Sequence, residues 1–62
     1  MSVKRRDLIG YLEQNGFYLL REGQNQSIYT NGTTTIPVKR HRSFDRVTAN
    51  ELCKQAGLPP KF

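Results

Sequence analysis

The chain has 62 residues, a single cysteine, and ten Lys/Arg against five Asp/Glu, for a net charge of +5. That length is enough for one domain spanning residues 1–62, and a domain so short buries only about 60% of the surface its unfolded chain exposes. Lone Cys53 excludes an internal disulfide, no Cys/His set has metal-ligand spacing, and no apolar run reaches the roughly 20 residues of a membrane span. No signal-peptide core follows the cationic N-terminus, and the start at Met1 reads as an unprocessed one, so the expected setting is the reducing cytoplasm. A small basic domain attracts polyanions, nucleic acid first and an acidic protein second.

Leu8, Ile9 and Leu12 form one apolar stripe with Tyr11 beside it, which predicts a helix from about Lys4 to about Asn15. Ser2 is a candidate N-cap. Gly16 is placed to close the helix in the left-handed conformation, and Gly10 suits close packing. Phe17 to Arg21, bounded by Gly16 and Gly23, reads as a strand. Ser27–Thr30 and Thr33–Val38 are two more β-rich runs around Asn31-Gly32, a dipeptide that signals a two-residue type I′ turn. That turn sets Thr30 opposite Thr33, Tyr29 opposite Thr34 and Ser27 opposite Ile36. Pro37 lacks an amide donor and belongs at an edge or a strand end.

Lys39-Arg40-His41-Arg42-Ser43 is a cationic loop. A second helix is expected from near Thr48, where Thr48-Ala49-Asn50-Glu51 has the form of a capping box. Phe44 and Val47 pack just ahead of it, Leu52, Cys53 and Ala56 form its inner face, and Gly57 with Pro59-Pro60 ends it. The order is α-β-β-β-α. The fold class that follows is α+β, a three-stranded antiparallel sheet with both helices packed on one face and the other face open. Double-stranded-RNA-binding domains share this order, which is an analogy of fold alone.

Two clusters carry the charge. Lys4-Arg5-Arg6 and Lys39-Arg40-Arg42 can neutralise phosphates without reading sequence. Cations at a helix start oppose its dipole, a mild cost that points to a partner for residues 4–6. His41, the only histidine, reads as a substitute base or a phosphate contact, or as an ordinary loop histidine that is exposed or hydrogen-bonds locally; the last is favoured over a base, and a phosphate contact stays open. Tyr18 and Tyr29 suit base stacking or, more commonly for strand aromatics, packing. Cys53 reads as a small buried residue.

Five segments taken together resemble the HicA family of ribonuclease toxins. They are Lys4–Ile9 with Leu12–Gly16, Leu20–Gly23, Ser27-Ile28-Tyr29, Ile36–His41 and Leu52–Leu58. The resemblance implies a fold like a double-stranded-RNA-binding domain, cleavage of messenger RNA without metal or other cofactor, and inhibition by a HicB antitoxin. The family motif runs glycine, one or two polar residues, histidine, two residues, aromatic. Here it reads Gly23-Gln24-Asn25-Gln26-Ser27-Ile28-Tyr29, and with Tyr29 setting the register the position of the catalytic histidine falls on Gln26.

Metal-free RNA cleavage uses the 2′-hydroxyl as nucleophile on the adjacent phosphorus. One group removes its proton and another protonates the leaving oxygen, help typically worth 10²–10⁴-fold. Histidine titrates near neutrality and serves both roles, whereas glutamine hydrogen-bonds but does not titrate. The expectation is a chain that binds RNA and cleaves it poorly or not at all. Three readings stay open at this point: an impaired endoribonuclease toxin, a non-catalytic RNA-binding domain, and a homologue that only captures an antitoxin.

Overall fold

The computed structural model describes residues 2–62. Seven elements follow in order: β1 (Ser2–Lys4), α1 (Arg5–Gln14), β2 (Tyr18–Glu22), β3 (Gln26–Thr30), β4 (Thr35–Lys39), β5 (Ser43–Asp45) and α2 (Arg46–Gln55). The α-β-β-β-α frame is therefore present, with β2-β3-β4 as its antiparallel sheet. Two short strands are added. β1 and β5 pair antiparallel, Val3 opposite Phe44 and Lys4 opposite Ser43. Three-residue strands carry too little alternation to be legible before the pairing is known.

The sheet buries one face. Ile36 and Val38 on β4 and Tyr29 on β3 point into a core with Leu8 and Leu12 of α1 and Ala49, Leu52 and Cys53 of α2. Val3 of β1, Phe44 of β5, Phe17 just ahead of β2 and Ala56 just after α2 complete it. Pro37 faces outward in the middle of β4, which is an edge strand, so its missing amide costs no ladder bond. The other edge, β2, is exposed along its whole length, including Leu19 and Leu20.

Both helices end alike. Gly16 (φ 88°) and Gly57 (φ 75°) take the left-handed conformation expected of them. The Phe17 amide donates to the Leu12 carbonyl at 3.0 Å and the Leu58 amide to the Cys53 carbonyl at 2.9 Å, a six-to-one closure in each case.

Several local expectations are corrected. The β3–β4 connection is not a two-residue type I′ turn, since Asn31 does not adopt positive φ. Its side-chain oxygen accepts instead from the amides of Thr33 (2.9 Å) and Thr34 (2.7 Å), which opens a four-residue loop. Thr30 then pairs with Thr35 and Tyr29 with Ile36. The register moves by two residues, an even number, so each side chain keeps its face. The cap of α2 is Asp45, which accepts from the Thr48 amide at 2.7 Å. The box begun by Thr48 is not used, and Glu51 pairs with Lys54 at 3.6 Å on the surface. Ser2 is a strand residue and not a cap, Val47 is exposed, and Gly10 has no neighbour within 4 Å of where a Cβ would stand. Asn50 instead ties down the C-terminal tail, exchanging two hydrogen bonds with the Phe62 backbone.

Candidate nucleic-acid interface

The β1–β5 pairing has one consequence above the others. It brings the two cationic clusters, more than thirty residues apart in the chain, onto one surface. The Arg5 amide donates to the Arg42 carbonyl at 2.8 Å, and the Arg5 guanidinium Nε donates to the Lys39 carbonyl at 3.2 Å. Residues 39–42 thus pass directly over the start of α1. All seven residues singled out around this charge, Lys4, Arg5, Arg6, Lys39, Arg40, His41 and Arg42, belong to this one region.

They do not play the same part. Arg5 is half-buried and reaches Ser27 Oγ through Nη2 at 2.9 Å. Ser27, almost fully buried, donates in turn to Glu22 Oε1 at 2.6 Å. Arg40 closes the chain from outside, with Nη2 donating to Glu22 Oε1 at 3.3 Å and to the Gly23 carbonyl. The Ser27 hydroxyl holds the Glu22 carboxyl below its ordinary pKa, against some desolvation, with help from the charges of Arg40 and Arg5. Among the described residues, Lys4, Arg6, Lys39 and Arg42 make no ion pair, and their side chains enter no hydrogen bond. Sequence reasoning missed Glu22 and Ser27. Both lie in segments that carry the resemblance, but only the β2–β3 pairing sets them opposite each other.

Gln26 opens β3 opposite Lys39. Its carbonyl accepts from the Gly23 amide at 2.6 Å, which closes the loop carrying Gln24 and Asn25. A Cβ on residue 23 would lie 2.9 Å from that carbonyl oxygen, so the loop as built requires glycine there. Gln26 itself is half-buried at the rim of a groove of about 430 Å³ that it shares with Lys39, His41 and Phe44. His41 rests edge-on against the Phe44 ring, centroids 6.0 Å apart, and is otherwise exposed. A second groove of about 830 Å³ runs beside the start of α1, lined by Lys4, Arg5, Arg6 and Arg42, with Glu13 at one wall. The surface can hold a polyanion between two grooves, with a polar but non-titrating side chain at one of them.

The two tyrosines separate. Tyr29 is a core residue, whereas Tyr18 is about half exposed on β2. Cys53 is fully buried. No helix among the described residues is long and apolar enough to cross a membrane.

A family model described as the HicA toxin of bacterial toxin-antitoxin matches residues 5–58 of the chain. No curated protein and no solved structure matches it.

Proposed function

The chain belongs to the HicA toxin family of bacterial toxin–antitoxin systems, and from that premise we propose that it binds messenger RNA on its basic surface and cleaves it poorly, because Gln26 stands where the acid–base histidine is needed. The observation that carries this reading is the convergence of both cationic clusters beside Gln26, which pairs with Lys39. Lys4, Arg6, Lys39 and Arg42 attract the phosphates, with His41 as a further polar contact, while Arg5 and Arg40 hold the loop that presents residue 26. The Gln26 amide is suited to hydrogen-bond a phosphate oxygen or the 2′-hydroxyl. It does not take up or release a proton at neutral pH, so the 2′-hydroxyl attack proceeds without general-base help.

The partner is a HicB-like antitoxin, which inhibits by covering the Gln26 region. Antitoxin and RNA then compete for the protein. Simultaneous binding of both at full affinity would argue against this placement.

The decisive comparison is Gln26→His. The histidine form is expected to cleave single-stranded RNA 10²–10⁴-fold faster, equivalent to about 3–5 kcal/mol of barrier, and to arrest growth on expression. Robust cleavage by the parent protein that survives Gln26→Ala would overturn the assignment. RNA binding by both forms with cleavage by neither would favour a non-catalytic RNA-binding domain, the reading that glutamine at this position otherwise supports.

A further inference from the structure

The charge on this surface is not uniformly available, and the difference sets how many phosphates it can hold. Six of the ten Lys/Arg lie in the two clusters. Arg5 spends its guanidinium on Ser27 Oγ and the Lys39 carbonyl, and Arg40 spends its own on Glu22 and the Gly23 carbonyl. An anion that took Nη2 of Arg40 would leave Glu22 without its ion-pair partner, and one that took Nη2 of Arg5 would leave Ser27 Oγ without its donor. Lys4, Arg6, Lys39 and Arg42 have no such engagement among the described residues. They flank the two engaged arginines, because the strand end at residues 39–42 crosses the start of α1 at Arg5.

We infer that one strand of RNA runs its backbone from the groove beside Lys4, Arg6 and Arg42 to the groove of Lys39 and Gln26, with those four cations neutralising phosphates and Arg5 and Arg40 acting as internal struts. The inference rests on the RNA-binding reading above and adds which side chains meet the phosphates and how many. A single strand is the occupant, because attack by a 2′-hydroxyl on its own phosphate requires a backbone free to bring nucleophile and leaving oxygen into line. A duplex holds that geometry away. The two arginines are positioning residues. They fix the Gly23–Gln26 loop and the 39–42 segment relative to each other.

The number of phosphates is measurable through salt. For single strands, log K falls with log salt at roughly 0.7 per neutralised phosphate. The probe is a fluorescein-labelled mixed-sequence 12-nucleotide RNA, titrated by fluorescence anisotropy at pH 8 with the parent protein, and a denaturing gel checks that the RNA stays intact during the titration. Four contacts give a slope of about −3, or about fiftyfold weaker binding at 200 mM than at 50 mM salt. Lys4→Met, Arg6→Met, Lys39→Met and Arg42→Met each lower that salt loss to about twentyfold, whereas Arg40→Met leaves the slope at about −3. All five positions are exposed, and a thermal melt checks that each variant is folded.

A slope near −4 that falls with Arg40→Met would overturn the division of the cations, and so would four variants that leave the slope unmoved. Those results leave RNA binding itself standing. No binding at 50 mM salt would overturn the RNA-binding reading along with it. Tighter binding to a matched RNA duplex would refute the single strand. Binding to poly-glutamate of equal charge as tight as to RNA would assign the surface to an acidic protein instead.

Discussion

The two helices of this protein have the same length and the same kind of C-terminus, yet they begin in opposite ways. α2 starts behind Asp45, whose carboxylate accepts from the Thr48 amide, the usual local solution for orphan amides at a helix start. α1 starts behind Lys4 with no side-chain cap, and its first two residues are Arg5 and Arg6. Only Asp7 in that turn favours the helix dipole. The Arg5 amide is satisfied from far away, by the Arg42 carbonyl of the segment leading into β5. One start is built for stability from adjacent residues. The other gives up local capping to place cations on a surface and borrows its hydrogen bonds from the β1–β5 seam.

The contrast can be broken most directly at Arg5. Arg5→Met removes charged donors from Ser27 Oγ and the Lys39 carbonyl, and a loss of about 2–3 kcal/mol in urea denaturation is expected. Arg5→Lys recovers little, since a single ammonium does not reproduce the two-armed geometry. A loss below about 0.5 kcal/mol, the level of an ordinary surface change, would show that the Arg42 carbonyl alone secures α1.

At the other start the effect is local and smaller. Asp45→Ala is expected to lower Tm by roughly 5 °C, with Asp45→Asn retaining most of the stability because its side-chain oxygen can still accept from the Thr48 amide. A drop as large as that of Arg5→Met would erase the distinction between the two starts.

Acid sharpens the comparison further, because each region holds one depressed carboxylate. Asp45 is lowered by the Thr48 amide and then the Thr48 hydroxyl, Glu22 by the Ser27 hydroxyl and then the flanking arginines. A folded-state pKa below the unfolded one means that the stabilisation is complete above the ordinary carboxylate range. It is lost as pH falls through that range toward the folded values. Stability is therefore expected to decline in acid, with Glu22→Gln and Asp45→Asn each flattening part of the decline. Unfolding curves that keep their full pH dependence in both variants would contradict these assignments. The smallest effect is expected from Glu51→Ala, within about 0.5 kcal/mol, since the capping box it would serve is not formed.

Much of the frame was legible from spacing. Leu8 and Leu12, and Leu52 with Cys53 and Ala56, mark helix faces at a period that only burial explains, and both closing glycines have the φ their positions demand. Asn31-Gly32 correctly marked a hairpin but gave the wrong loop, because the Asn side chain offered the backbone two hydrogen bonds that the dipeptide rule does not count. Thr48 and Glu51 matched a capping box, yet Asp45 lay closer to the chain's actual turn. Both misses are competitions between equally local options, settled by which side-chain oxygen reaches the backbone amides.

For the site, the sequence by itself determined its ingredients: a basic chain, two cationic clusters, and glutamine at the residue-26 position of the motif. Those follow from residue identity, and no fold could alter them. Tertiary structure decided that the clusters share one surface, because the strands that join them are three residues long and pair residues 2–4 with residues 43–45. It also decided that Arg5 and Arg40 hydrogen-bond within the fold, while Lys4, Arg6, Lys39 and Arg42 make no ion pair among the described residues. Charge is written in the sequence, but whether a charge already has a partner depends on which carboxylate and carbonyls the fold brings within hydrogen-bonding reach. Here these are Glu22, Gly23 and Lys39.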